Sequence, residues 1–214
     1  GNTIHMDRGN AVKVMEEVLA GLPAGQAWLA DISAGTLINI IPAHAEAVVV
    51  CPTEHAAAVR TALDARIALL KEVYRHTEPQ LTITVAQRPA GDGMTVLTPA
   101  CAEKLLRFVR LCYVGAWRMA DDTYSRAECS ANPAVLRLEG DEARFTLSAR
   151  SNSEYLHDQI IAHQSELAAL CGWKDVLESR AGAWEYNAAS RLLPQVIPIF
   201  REVTGREPEI AQIH

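Results

Sequence analysis

The order of helical and extended patterns along this 214-residue chain constrains its fold more than any other feature. Residues 10–88 read as helix, strand, strand, helix, strand, and residues 99–181 repeat that order without obvious sequence identity between the halves. Such αββαβ units are typical of the ferredoxin-like, split βαβ arrangement. The sequence therefore predicts an α+β protein of two ferredoxin-like units, with a mostly antiparallel sheet and helices on one face.

In the first unit, apolar residues at helical spacing predict helices over residues 10–22 and 53–76. Asp7 or Asn10 is expected to cap the first helix. The predicted strands are residues 27–33, continued in extended form by 37–41, then 45–51 and 81–87.

In the second unit, Thr98 followed by Pro99 predicts the start of a helix over residues 100–112. Ser153 is expected to cap a second helix over residues 154–170. The predicted extended segments are residues 114–126, 134–138, 143–150 and 174–180, and a final short strand is predicted beyond this unit at residues 210–213.

The charge balance disfavours two classes of partner. The chain has 20 Lys and Arg against 26 Asp and Glu, a formal net charge of -6, whereas nucleic acid binding needs concentrated positive charge. No apolar run reaches the roughly 18 residues that span a bilayer, and the N-terminal residues lack the apolar core of a signal peptide. We therefore expect neither nucleic acid nor a membrane as a partner.

The five cysteines and seven histidines form no recognisable ligand or redox motif. No two cysteines have C-x-x-C spacing, and no two histidines have H-E-x-x-H spacing. Cys101, Cys112 and Cys171 lie in apolar helical stretches, where free thiols are commonly buried. The chain is expected to be reduced and cytoplasmic, with no metal site and no Ser-His-Asp signature of its own.

Two polar side chains are candidate site residues. Asn39 lies within the apolar run 37–41, where a buried amide is costly without partners; a hydrogen bond to a neighbouring strand or a bulge would also account for it. Arg150 ends an alternating strand, and its fork of donors suits a carboxylate. A solvated guanidinium, or a pair with a neighbouring acid, is the alternative for Arg150.

Five short motifs in a fixed order resemble one family. Together they are similar to the bacterial aminoacyl-histidine dipeptidases, also called Xaa-His or cytosolic non-specific dipeptidases, which are zinc metallopeptidases related to carnosinase and carboxypeptidase G. The motifs are G-x-x-I-H-x-x-R-G-N-A from residue 1, A-G-T-L-x-N-x-I-P from residue 34, S-A-R-S-N-S from residue 148, W-x-x-N from residue 184 and G-R-E-P-E-I-A-Q-I-H from residue 205.

The resemblance implies that this chain is the lid, or dimerisation, domain that is inserted into a two-zinc catalytic domain. Residues 1–182 would form the lid, and residues 183–214 a helix and a strand that lead back to the catalytic domain. The zinc ligands and the catalytic acid/base would lie outside this chain, so the chain alone is expected to bind no zinc and to be inactive. Pro194 and Pro198 depart from the family's last helix, over residues 187–204, which leaves open whether that helix packs on the lid or on the catalytic domain.

The resemblance also implies two residue roles. Asn39 matches the lid Asn that contacts substrate, and Arg150 matches the lid Arg that holds the substrate's C-terminal carboxylate. The parent enzyme would hydrolyse dipeptides of the Xaa-His type and form a homodimer through the lid, while His5 and His214 receive no role. Two alternatives stay open: a stand-alone α+β module that binds a ligand or a second copy of itself, and the lid of a related aminoacylase, carboxypeptidase or desuccinylase.

Overall fold

The computed structural model describes residues 3–91, 93–120, 124–185, 187 and 189–210. Within these residues a five-stranded antiparallel sheet packs against helices, which confirms the predicted α+β class with a mostly antiparallel sheet. None of the described helices is long and apolar enough to cross a bilayer. The elements are α1 (Ala11–Leu19), β1 (Trp28–Ala34), β2 (Ala45–Val50), α2 (Ala56–Val73, preceded by the 3-10 turn Thr53–His55), α3 (Pro99–Leu111), β3 (Gly115–Met119), β4 (Ala127–Glu139), β5 (Glu142–Ser151), α4 (Glu154–Leu170) and α5 (Leu193–Thr204).

Strand β4 organises the sheet because it pairs with three other strands. Its first half pairs with β3 and its second half with β1 along one edge, while β5 runs along the other edge. Strand β2 extends the sheet beyond β1. The β4–β5 ladder shifts register between Pro133 and Val135, where a proline without an N–H group favours a bulge.

One face of the sheet is apolar and carries helices. Cys129 and Ala131 of β4 pack against Ile160 of α4, and α2 packs on α1 through a separate apolar cluster. Removing these side chains from water is the main favourable term in such a fold. The central cluster, which joins α1, α3, β1 and β4, contains Val12, Leu19, Leu29, Ile32, Ala34, Leu105, Val109 and Leu136.

Polar contacts of α1 join it to the end of α3. The Lys13 ammonium donates to the carbonyl oxygens of Val109 at 2.8 Å, Arg110 at 2.7 Å and Cys112 at 3.0 Å. These are groups at the C-terminus of a helix, where carbonyls lack helical partners and a cation is favoured. Glu16, whose side chain is 3% exposed, forms an ion pair with Arg110 at 2.7 Å.

The helix caps that the sequence predicts at Asn10, Thr98 and Ser153 are confirmed, whereas Thr53, a further candidate cap, lies inside the 3-10 turn and α2 has no side-chain cap. The Asn10 side chain accepts from the backbone amide of Val12 at 3.0 Å, Thr98 caps α3 with Pro99 at its first turn, and Ser153 caps α4. A side-chain oxygen at the N-cap satisfies amides that the first turn leaves free.

Three of the predicted strands are wrong. Residues 37–41 do not extend β1 but form an exposed turn, because Gly35 redirects the chain with φ at +67°. Residues 81–87 and 174–180 join no ladder in the described part of the chain. Ile83 and Val85, at alternate positions of 81–87, pack against the apolar cluster between α1 and α2. The alternation therefore indicates that one side of the segment is apolar, but it does not indicate a strand partner.

The last segment of the chain lies apart from this core. Helix α5 buries none of its residues, which does not support the alternative that it packs on the lid. Pro194 stands in its first turn, Pro198 lies inside it, and Gly205 with φ at +66° ends it. The predicted strand 210–213 and His214 fall outside the described residues, apart from Ile210, which has no regular structure.

The cysteines differ in burial. Cys112 and Cys171 are buried as expected, whereas Cys101, in the first turn of α3, is exposed. Burial raises the pKa of the Cys112 thiol to about 11. All five thiols are free.

Gly35 occupies a position that no other residue fits. Its φ of +67° lies in the left-handed region, and a Cβ there would overlap the carbonyl oxygen of Ala134. The Gly35 amide donates to His44 O at 3.0 Å and so closes the base of the loop between β1 and β2.

We expect Gly35→Ala to destabilise the protein far more than Gly140→Ala, as measured by urea unfolding. Gly140 has a similar φ of +63°, but a Cβ at that position would meet nothing within 4 Å, so its substitution should cost only the left-handed strain of about 1–2 kcal/mol. Gly35→Ala adds the clash with β4. Equal losses at the two positions would contradict this account of Gly35.

Candidate functional site

A pocket lies on the sheet face opposite the helices. Because Cys129 and Ala131 point toward α4, the intervening side chain of Ser130 and that of Asn132 point the other way. The pairing of β4 with β5 places Arg150 opposite Ser130 and Ser148 opposite Asn132, and opposed residues share one face of the sheet. The pocket is lined by Ile4, Ile38, Asn39, Ile41, Ser130, Asn132, Ser148 and Arg150.

The turn between Gly35 and Pro42 forms the other wall of the pocket. The Asn132 Nδ2 donates to Ile40 O at 2.8 Å, and the amide of Ala11 donates to Pro42 O at 2.9 Å. Backbone carbonyls in an exposed turn would otherwise bond to water. These contacts attach the turn to the sheet and to the start of α1.

The polar network continues behind Asn132. Asn10 Nδ2 donates to Asn132 Oδ1 at 3.2 Å and to Pro133 O at 2.8 Å. Asn10 is 2% exposed and Asn132 is 6% exposed, and buried amides are tolerated where their donors and acceptors are paired.

Arg137 fixes the base of the same turn. Its guanidinium donates to Ala34 O at 2.6 Å and also to Gly35 O. A charge-assisted bond to a carbonyl is stronger than one between neutral groups. The turn is therefore tied to β4 at its base by Arg137 and near its end by Asn132.

The structure brings Asn39 and Arg150 together on one pocket. The apolar neighbours of Asn39 predict a buried strand, but Asn39 is exposed in the turn. Among the described residues its side chain has no hydrogen-bond partner, so the bond to a strand or bulge is not found. Its amide faces the pocket with donors and an acceptor unused.

Arg150 is exposed and has no carboxylate partner among the residues that the structure describes. By contrast Arg144, on the same strand, lies 3.9 Å from Glu139. The alternative in which a neighbouring acid occupies Arg150 is therefore not found in this part of the chain. Its five N–H donors are available to a ligand or to water.

Sequence reasoning missed the polar residues of β4 and β5 that line the pocket. A usable signal was present, since Ser130 and Asn132 are polar at alternate positions of an otherwise apolar segment, which marks one face of a strand. The role of Asn10 was expected only as a helix cap. His5, next to the pocket-lining Ile4, is half-buried and does not line the pocket.

Similarity to known proteins is found over part and over all of the chain. Residues 1–78 match the family model of the peptidase dimerisation domain. Over 100% of this chain, the crystal structure of aminoacylhistidine dipeptidase from Vibrio alginolyticus is similar, with 25% sequence identity and a TM-score of 0.82. The chain spans 44% of the length of that enzyme. No curated protein matches the sequence significantly.

These two matches agree in the kind of protein, and the region of the family model lies within that of the structural match. The family model spans the chain from α1 to α2 and so includes the pocket turn with Asn39, between β1 and β2. The resemblance drawn from the sequence is confirmed: the chain is similar to a peptidase dimerisation domain over its first 78 residues and, over its whole length, to part of an aminoacylhistidine dipeptidase.

Proposed function

We propose that this chain is the lid and dimerisation domain of a zinc-dependent dipeptidase, and that its pocket binds the C-terminal part of the substrate. Residues 1–182 would form the lid, and residues 183–214 would lead to the catalytic domain. The observation that carries the proposal is that Asn39 and Arg150, distant in sequence, line one pocket while Arg150 has no acidic partner among the described residues.

In this proposal Arg150 binds the substrate carboxylate. A guanidinium donates two parallel N–H···O bonds to a carboxylate. The other polar groups that line the pocket, on Ser130, Asn132 and Ser148, are neutral. A ligand with one negative charge would therefore complement the guanidinium. Asn39 can both donate to and accept from the polar groups of a peptide.

Lid closure would supply the catalytic advantage. A lid that holds one end of the dipeptide orients the scissile bond toward the catalytic domain and excludes water. Within the described residues, no three His, Cys, Asp or Glu side chains lie together in a way that could hold a metal ion. In this proposal the two zinc ions are held by residues outside this chain, and we assign no catalytic step to the residues described here.

The similarity to a dimerisation domain supports a homodimer through the lid. The matched region includes α2, on which Leu69 is 52% and Val73 is 61% exposed. Large apolar side chains on the surface of such a domain are candidates for an interface. The five free thiols support the further proposal that the protein works in the reducing cytoplasm.

The carboxylate role is tested with Arg150→Ala in the full-length protein that carries this chain. For a dipeptide, kcat/KM should fall roughly 30-fold or more, because the loss of a charge-assisted bond removes about 2 kcal/mol of transition-state stabilisation. A dipeptide amide, which lacks the carboxylate, should be hydrolysed by both proteins at similar rates. Arg144→Ala is the matched control on the same strand, and an unchanged kcat/KM in Arg150→Ala would remove the proposed role.

The same substitution should leave the fold nearly intact. Since Arg150 is exposed and has no partner among the described residues, Arg150→Ala should change the free energy of unfolding by less than about 0.5 kcal/mol. Arg110→Ala should cost roughly 1–3 kcal/mol, because it leaves the carboxylate of Glu16 buried and unpaired. Urea unfolding of the two variants measures the difference, and a large loss in Arg150→Ala would give Arg150 a structural role instead.

The location of the catalytic residues is tested by comparing the 214-residue chain with the full-length protein, each with added zinc. Only the full-length protein should hydrolyse dipeptides, since the metal ligands are proposed to lie outside this chain. Hydrolysis by the shorter chain would contradict the proposal. A full-length protein that hydrolyses acylated amino acids but no dipeptide would favour the lid of an aminoacylase.

A further inference from the structure

We propose that Asn132 is a positioning residue for the pocket, whose amide holds the turn that carries Asn39 in place relative to Arg150. Asn10, at the start of α1, sets the orientation of that amide. The inference deepens the proposed function and rests on it, because it assumes that Asn39 and Arg150 act on one ligand.

The orientation of the Asn132 amide follows from the helix cap. Asn10 Oδ1 accepts from the amide of Val12 at 3.0 Å, so its Nδ2 must be the group that faces β4. That Nδ2 carries two N–H groups, and it donates to Pro133 O at 2.8 Å and to Asn132 Oδ1 at 3.2 Å. The Nδ2 of Asn132 is thereby directed to Ile40 O at 2.8 Å.

The turn depends on this bond because little else holds its middle. Leu37 is 54%, Ile38 is 56% and Ile40 is 50% exposed, so apolar burial contributes little there. The ends are fixed at Gly35 and Pro42 by backbone hydrogen bonds. Segments with few buried contacts open locally at low free energy, and Ile40 directly follows Asn39.

Asn132 also connects the turn to the strand of Arg150. It lies opposite Ser148 in the β4–β5 ladder, and Arg150 stands two residues further along the same face of β5. One side chain therefore reaches from the sheet that carries the guanidinium to the turn that carries the Asn39 amide. The distance between those two groups is set through Asn132.

The test uses Asn132→Ala in the full-length protein and two measurements. The first is limited proteolysis with thermolysin, with cleavage at residues 37–41 followed by mass spectrometry. Loss of the hydrogen bond to Ile40 O should make cleavage there roughly 5- to 10-fold faster. Ser148→Ala, which alters the same pocket face without touching the turn, should leave cleavage unchanged.

The second measurement is a double-mutant cycle on kcat/KM for a dipeptide. Asn132→Ala should lower kcat/KM by roughly 5-fold or more in the natural sequence, but by less than about 2-fold when Asn39→Ala is already present. A role in stability alone would give the same loss in both backgrounds. If Asn132→Ala does not fold, Asn132→Asp keeps the size and the acceptor for Asn10 while it removes the donor to Ile40 O, and it is used in the cleavage measurement only, because its carboxylate would compete with substrate for Arg150.

The outcomes separate this inference from the proposed function. Unchanged cleavage of the turn in the folded variant, or equal activity losses in both backgrounds, would overturn the positioning role even in an active dipeptidase. Absence of dipeptidase activity in the natural full-length protein would overturn the proposed function and with it the role of Asn132 toward a dipeptide. Faster cleavage together with a non-additive cycle supports the positioning role.

Discussion

The pairing of β4 with β1, β3 and β5 is the interaction on which the rest of the structure depends. Strand β4 supplies Leu136 and Ala131 to the apolar clusters beneath the helices. Its ladder with β1 is also the hydrogen-bonded junction between the first and second halves of the sheet. A strand with partners on both edges satisfies its backbone groups, which permits the deep burial that these side chains show.

The same strand builds the pocket from its other face. Alternation places Ser130 and Asn132 away from the helices, and the buried amide of Asn132 is satisfied by Asn10 and by Ile40 O. The cost of burying polar groups is thus offset by bonds that attach a loop and a helix start to the sheet. Stability and site geometry are consequently coupled through one network, so substitutions in it affect both.

Local signals in the sequence were sufficient for the helices and insufficient for strand partners. Thr98, Ser153 and Asn10 act within one helical turn, and the structure has each as a cap. Strand β4 begins at Ala127, well before the predicted 134–138. The prediction missed its first half because that part is rich in residues of low strand propensity, such as Ala and Asn. Its length comes from pairing with β3 and β5, which no local pattern reports.

The candidate site was accessible in part for the same reason. Asn39 and Arg150 were selected from sequence, but the conformation expected for Asn39 was wrong, because the positive φ of Gly35 ends β1 before the apolar run begins. Residues 37–41 have the apolar composition of a buried strand, so composition could not show that these side chains lie in an exposed turn. Asn132 was missed because its importance lies in contacts with residues far away in sequence, at positions 10 and 40. Three arginines on β4 and β5 show why Arg150 is nevertheless the one assigned to a ligand.

Arg137 donates to backbone carbonyls at the base of the turn, and Arg144 lies near the carboxylate of Glu139. Arg150 has the same guanidinium group, but among the described residues it has neither a backbone carbonyl nor a carboxylate as partner. It lines a pocket whose other polar groups are neutral. A guanidinium placed beside apolar side chains at the edge of such a pocket attracts an anion more strongly than one surrounded by water, and a peptide carboxylate matches its two parallel donors.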